Sequence, residues 1–239
     1  IVGHHEGTLT SVTNNGVIKY SGSGSPTTHI SGIVGYHTKA STSATNNGDV
    51  TCSGSVATLY LAGIAGYHSG AASTSDTNKG NISYSGTDCS TLYMAGMQGR
   101  HTSTLSSGSN TGTIKVDGTF DFPTDGVYNF NVAGITGYAG NTISNTTNEG
   151  EINISSELVV PSTATYGQFG IGGISARAVV SLTNVTNSGD ITVSSNFAAV
   201  PTTTTGEGDA ATTKNNYSMH PIFIGGLVGW AGNATYNGA

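Results

Sequence analysis

The sequence predicts an all-β fold: a right-handed parallel β-helix of about seven coils, each built from three short strands. Three observations carry that prediction. Two short blocks alternate along the 239-residue chain, apolar residues fall at every second position over short stretches, and half of the residues are Gly, Thr, Ser or Asn (36, 36, 29 and 20). A disordered chain would be charged or proline-rich, and an ordinary globular enzyme would have about a quarter of its residues charged. With 8% charged residues and 5 prolines, this chain fits neither class. A net charge of -6 with only 7 basic residues argues against nucleic acid as a partner, because phosphate neutralisation supplies most of that affinity. No apolar run approaches the roughly 18 residues of a bilayer-spanning helix. The two cysteines, Cys52 and Cys89, are too few for a disulfide framework.

The first block is Gly-apolar-x-Gly. It recurs at Gly32-Ile33-Val34-Gly35, Gly63-Ile64-Ala65-Gly66, Gly96-Met97-Gln98-Gly99, Gly134-Ile135-Thr136-Gly137, Gly173-Ile174-Ser175-Ala176 and Gly226-Leu227-Val228-Gly229. The second is Asn-x-Gly, opening at Asn14, Asn46, Asn78, Asn110, Asn148 and Asn187. From the last residue of the first block to the Gly of the second the interval is 13 residues, with a single 14 between Gly66 and Gly80. The return interval, from that Gly to the last residue of the next Gly-rich block, runs 19, 18, 19, 25, 26 and 40. Every insertion therefore falls in one half of the repeat, near 117–129, 156–168 and 195–219.

Strand periodicity appears in three places per repeat. After Asn-x-Gly come Ile18 and Tyr20, Val50 and Cys52, Ile82 and Tyr84, Ile114 and Val116, Ile152 and Ile154, Ile191 and Val193. Before the Gly-rich block come Leu59 and Leu61, Leu92 and Met94, Phe130 and Val132, Phe169 and Ile171, Ile222 and Ile224. The third stretch precedes the Asn and is marked by Leu9, Leu105, Ile143 and Leu182. Stacking such coils puts each Asn at one corner, where its amide can bond the equivalent Asn one coil away and tolerate a positive φ. Small residues before each Gly-rich block (Ser31, Ala62, Ala95, Ala133, Gly172, Gly225) are expected where two sheets pack closely. The whole of 1–239 reads as one solenoid. Both ends fall within a repeat, so the chain is expected to be a processed product or one section of a longer array, with flanking repeats or other copies of the chain as neighbours.

The alternation of Gly-apolar-x-Gly with Asn-x-Gly resembles the GLUG-type repeats of large secreted or surface β-solenoid proteins, with Gly226-Leu227-Val228-Gly229 nearest to the family form. The resemblance implies an extracellular or cell-surface location and a role as stalk, adhesin or surface-layer segment. It brings no catalytic residues and no cofactor, because the family motif is structural.

Residue columns supply the candidate sites. His5, His37, His68 and His101 follow successive Gly-rich blocks. Stacked imidazoles could bind a transition metal, but no carboxylate or Cys recurs at a fixed offset to complete a coordination sphere; a structural ladder is the plainer reading. Such a ladder should have its pKa values lowered by like-charge repulsion and should weaken the N-terminal coils in acid. The adjoining column holds His4, Tyr36, Tyr67, Arg100, Tyr138, Arg177 and Trp230. Aromatic and Arg side chains in a row suit sugar stacking and cation-π contacts, as a carbohydrate-binding strip or as a stabilising stack. Ranks of Ser and Thr, such as Thr10, Thr42, Thr74, Ser106, Ser144 and Thr183, are the ordinary exterior of a low-charge solenoid, although ice-binding solenoids display similar ranks. Catalysis would need converging carboxylates. Asp49, Glu151 and Asp190 share a column but sit in separate coils, and Asp121 and Asp125 lie in an insertion without a fixed partner. Cys52 reads as core filler, and its pairing with Cys89 is left open by spacing. The expected function is thus a non-enzymatic, extracellular stalk, adhesin or fibre-forming element, with glycans or a host or matrix surface as further partners. A carbohydrate-binding module is the alternative, and a polysaccharide-degrading enzyme the third. Insertions on one side of a solenoid often form its binding face.

Overall fold

The computed structural model describes residues 2–122, 127–159, 166–198, 203–205, 212–214, 222–232 and 236–237. The chain winds as a parallel β-solenoid in which each pass adds one strand to each of several sheets. One coil shows the plan. After the turn at Gly32 the chain forms Val34–His37 (sheet I), then Ser41–Thr42 and Thr45–Asn46 (sheet II), Val50–Cys52 (sheet III) and Ser55–Ala62 (sheet IV), which leads into the next Gly-rich block. The coil above repeats it in register: Tyr36 lies beside Tyr67, Thr45 beside Thr77, Val50 beside Ile82, and Leu59 beside Leu92. Among the described residues sheet I has seven strands, and sheets III and IV have six each.

All three stretches predicted from periodicity are strands, and sheet I is added to them. Its alternation was masked because a Gly sits mid-strand and the inward position after it is His rather than an aliphatic residue, as in Val34-Gly35-Tyr36-His37. The chain bends sharply between the two halves of sheet II. There the residue three before each Asn has positive φ: Ser11, Ser43, Ser75, Ser107, Asn145 and Asn184, at 50 to 57°. The left-handed conformation expected at the Asn corner is thus displaced by three residues, onto small polar side chains that tolerate it. The Asn residues themselves form the expected ladder. Each Nδ2 donates to the Oδ1 of the next, at 2.7 to 2.8 Å, from Asn14 through Asn187. The same Nδ2 also donates to the carbonyl two residues on, as Asn78 does to Gly80 at 2.8 Å.

The interior is divided into two cores. The larger joins sheets III and IV through Val50, Leu59, Leu61, Ile82, Tyr84, Leu92, Met94, Phe130 and Ile154. The smaller lies between sheets I and II and holds Ile33, Val34, Ile64, Met97, Leu105, Ile135, Ile143 and Leu182. Between them the first Gly of the Gly-rich blocks from Gly32 to Gly173 meets the Asn of its own coil. A Cβ on Gly32 would strike the Asn46 side chain, one on Gly63 that of Asn78, and one on Gly134 that of Asn148. This contact forms a waist and explains the spacing rule. The segment from Gly-rich block to Asn encloses the small core and is closed at both ends by the waist, so its length is fixed. The single extra residue before Gly80 is taken up at Gly70, where φ is 102°.

The insertions enter the larger loop of the coil. They begin as strands rather than as surface loops: Thr119–Asp121, Glu157–Val159 and Asn196–Ala198 pair in parallel as a fifth sheet. Phe120, Phe122 and Leu158 are buried there, and Phe120 meets Tyr84 and Phe130 at ring-centroid distances of 5.3 and 5.1 Å. Burying a Phe side chain is worth about 2 kcal/mol, so this added length extends the core. Within 195–219, Thr203–Thr205 and Thr212–Lys214 pair antiparallel. Asp125 lies outside the described residues.

Candidate functional site

The aromatic and Arg column occupies the outer face of sheet I, with His4, Tyr36, Tyr67, Arg100, Tyr138, Arg177 and Trp230 in one register. It faces a second row on the outer side of sheet IV, namely His29, Tyr60, Tyr93 and Asn131. That second row fills the positions between the inward pairs such as Leu59 and Leu61, an outward column that the alternation carried. The two sheets meet at the Gly-rich turn so tightly that a Cβ on Gly172 would strike the Ser175 carbonyl, which accounts for the small residues preceding each block. The outer faces of the sheets therefore make a re-entrant groove parallel to the solenoid axis.

Side chains fill the floor of this groove by stacking. His29 lies parallel to Tyr60 (4.7 Å, 7° between planes) and Tyr60 to Tyr93 (5.1 Å, 7°). The rows also touch each other, Tyr60 packing on Tyr67 at 5.7 Å and His29 on Tyr36 at 5.7 Å. Further along, the Arg100 guanidinium sits 5.2 Å from the Tyr67 ring and 5.1 Å from the Tyr138 ring. Arg177 is held likewise, 5.3 Å from Tyr138 and 4.9 Å from Trp230. Burial lowers the basicity of Arg100, but the surrounding phenols of Tyr60, Tyr67 and Tyr93 outweigh it and the net direction is upward. Ring faces are thus largely spent on neighbouring coils, and Tyr36, Tyr67, Arg100, Tyr138, Arg177 and Trp230 are all half-buried, with Nε of both arginines enclosed and Arg100 hydrogen-bonded to the Tyr60 phenol.

The histidine column lies on the opposite face of the same strands. His37, His68 and His101 have no exposed surface, and the His37 and His68 rings stack at 4.9 Å. Each Nε2 contacts a main-chain carbonyl: Gly7 at 2.9 Å, Lys39 at 2.8 Å and Asn141 at 3.2 Å. Since a carbonyl can only accept, Nε2 must carry the proton and Nδ1 the lone pair. His68 Nδ1 takes a hydrogen bond from Gln98 Nε2 at 3.1 Å. The ring atoms that would ligate a metal are therefore committed to the ladder or enclosed by it, and among the described residues no group of three or more His, Cys, Asp or Glu is placed to hold an ion. His5, less buried, accepts from its neighbour Gly7. Burial holds His68 and His101 down to about 4. The repulsion anticipated from the sequence also acts, but it ranks below desolvation in each case.

Beside the ladder sits Asp76, fully buried in the small core. It accepts from Ala44 N at 2.7 Å and from Ser73 Oγ at 2.6 Å, and burial raises its pKa. No sequence signal separated it from the Val, Ala and Gly residues of its column. Asp49, by contrast, is exposed and accepts the Asn81 main-chain N–H at 2.8 Å, capping the turn of the next coil. Cys52 and Cys89 are both buried free thiols. The hydroxyl ranks of sheet II are in register, with Ser106 donating to Thr74 at 3.4 Å and Ser109 to Thr77 at 3.3 Å. Comparison of the chain with family models, with curated proteins and with solved structures finds no match.

Proposed function

We propose that this chain is a mechanical element: a rigid, non-catalytic β-solenoid segment of an extracellular or cell-surface protein, acting as stalk, adhesin or fibre-forming unit. The observation that carries the reading is the continuity of its ladders. Main-chain pairing, the Asn amides and the groove side chains all run from coil to coil in one register, so load along the axis is shared by many parallel contacts. The GLUG-type resemblance of the Gly-rich block supports the surface location, and flanking repeats or further copies are the natural neighbours of such a rod. Asp49 engaged as a main-chain cap supports the absence of catalysis.

Pulling single molecules by their termini tests the mechanical role. Coils 32 residues apart, as from Gly16 to Gly48 to Gly80, should release in steps of about 110 Å at roughly 3.5 Å per residue. Smooth extension without steps would remove the reading, and turnover of an acidic polysaccharide would replace it with an enzyme. The carbohydrate-binding alternative is favoured by one observation, the partial exposure of the groove residues.

A further inference from the structure

We infer that the groove between sheets I and IV binds the carboxylate or sulfate groups of an acidic polysaccharide lying along the solenoid axis, with Arg100 and Arg177 as the anion-binding residues. The inference rests on the adhesive reading above and names its ligand class. These are the only two arginines of the chain, and both stand in one row, separated by Tyr138. Two coils at about 4.8 Å each place them roughly 10 Å apart along the axis. Each guanidinium is clamped between two rings, Arg100 by Tyr67 and Tyr138 and Arg177 by Tyr138 and Trp230. Clamping occupies the faces and fixes the plane. Nε of each is enclosed and Arg100 is hydrogen-bonded to the Tyr60 phenol, so the donors left for an external carboxylate or sulfate are terminal N–H groups of these half-buried guanidinium side chains, in a plane the clamp has fixed.

Charge pairing within the chain does not use these groups. The ion pairs of the described residues are His4 with Glu6 and Lys115 with Asp117, so neither arginine has an acidic partner there although acids outnumber bases 13 to 7. Behind them Asn131 has no exposed surface and finds no hydrogen-bond partner for either amide atom among the described residues, and Nε of both arginines is equally enclosed and unpaired. Burying such a group without a partner is unfavourable. These enclosed atoms lie beneath the groove surface and do not meet a ligand themselves; each arginine is otherwise half-buried, and an external acceptor is met through that exposed part.

Shape narrows the acceptor to a glycan. Between the terminal strands, main-chain groups of both sheets are paired coil to coil along the groove, so among the described residues no strand edge faces into the groove for an extended peptide to join. Recognition must come from side chains, and phenol edges alternating with guanidinium forks suit a chain of pyranoses that carries hydroxyls and acidic groups. Two arginines meet two anionic groups along a glycan, too few for the phosphate-by-phosphate neutralisation on which nucleic-acid affinity depends.

Trp230 is the only tryptophan of the chain and clamps Arg177, so its fluorescence reports on the site in the unmodified protein. The full chain is titrated with hexagalacturonate, with a heparin-derived hexasaccharide, with uncharged cellohexaose, and with galacturonate monomer and inorganic sulfate. Both acidic hexasaccharides should change Trp230 emission saturably, at least tenfold more tightly than cellohexaose or either free anion, and the affinity should fall as salt is raised. Arg177→Lys, which keeps the charge and loses the fork, should weaken binding at least tenfold. Equal binding of neutral and acidic hexasaccharides, no response to any of them, or unchanged affinity in both Arg177→Lys and Arg100→Lys would overturn the assignment. Should a variant melt early, the salt dependence and acidic-over-neutral preference of the parent chain decide alone. Stepwise extension under load reads the mechanical role without ligand, so either result can fail while the other stands.

Discussion

Two ladders of stacked side chains run through the same molecule, and they end differently. The Asn ladder continues through every coil from Asn14 to Asn187, whereas the His ladder stops at His101 and gives way to Ala139 and Ala178. A carboxamide has one donor end and one acceptor end, so each Asn satisfies the next and the pattern can repeat without limit. An imidazole has only one donor in its neutral form. His37, His68 and His101 spend it on carbonyls of the neighbouring coils and stack by their faces, leaving Nδ1 to be matched by whatever lies near. Gln98 serves His68, while His37 Nδ1 has no partner among the described residues. The Asn ladder is self-complementary; the His ladder depends on its surroundings and on pH.

Removing one rung should expose that difference most sharply. Asn78→Ala deletes a donor to both Gly80 and Asn110 and an acceptor for Asn46, leaving three enclosed groups unmatched. A loss of about 3 to 5 kcal/mol is expected, read by denaturant unfolding; a loss below 1 kcal/mol would show that water or rearrangement replaces the amide.

Acid is the second probe and acts on the other ladder alone. His68 and His101 are held at about 4 in the folded chain against an ordinary 6.5. Because the folded pKa values are depressed, their neutral form contributes stability that is full above pH 6.5 and is lost as pH falls towards 4. The expected cost at pH 5 is about 2 kcal/mol for each ring. Asp76, raised by burial, opposes the trend with a single group. Melting at pH 7.5 and at pH 5 checks this, and an unchanged midpoint would contradict it. The smallest effect should come from the outermost hydroxyl rank at its exposed member Thr42, where Thr42→Val is expected to change stability by no more than about 0.5 kcal/mol; a larger change would mean that the rank belongs with the two interior ladders.

The solenoid, the Asn ladder and the register of the groove column were all legible because each rests on exact repetition, which a single sequence displays. Sheet I was hidden by Gly35 and its equivalents, since a strand whose inward residues are Val and His does not alternate in hydropathy. The facing row of His29, Tyr60, Tyr93 and Asn131 was present in the sequence as the intervening positions of the sheet IV strands, but only the turn angle places it against sheet I. Asp76 could not be singled out, because whether a residue two before the Asn points inward depends on the left-handed bend at Ser75. The insertions misled in the opposite direction. Their irregular length suggested excursions, while Phe120, Phe122 and Leu158 lie in the core.

The waist has a consequence for how such a molecule can change. Each coil from Gly32 to Asn187 is pinched into two lobes, one of set length and one of free length, and the pinch is held by a Gly against an Asn. New sequence admitted to the free loop alters the girth of that coil without shifting the pitch or the alignment of its neighbours. Length variation is thereby separated from register, and the groove, whose two walls meet at the Gly-rich turn beside the waist, keeps its spacing while the far side of the molecule is rewritten.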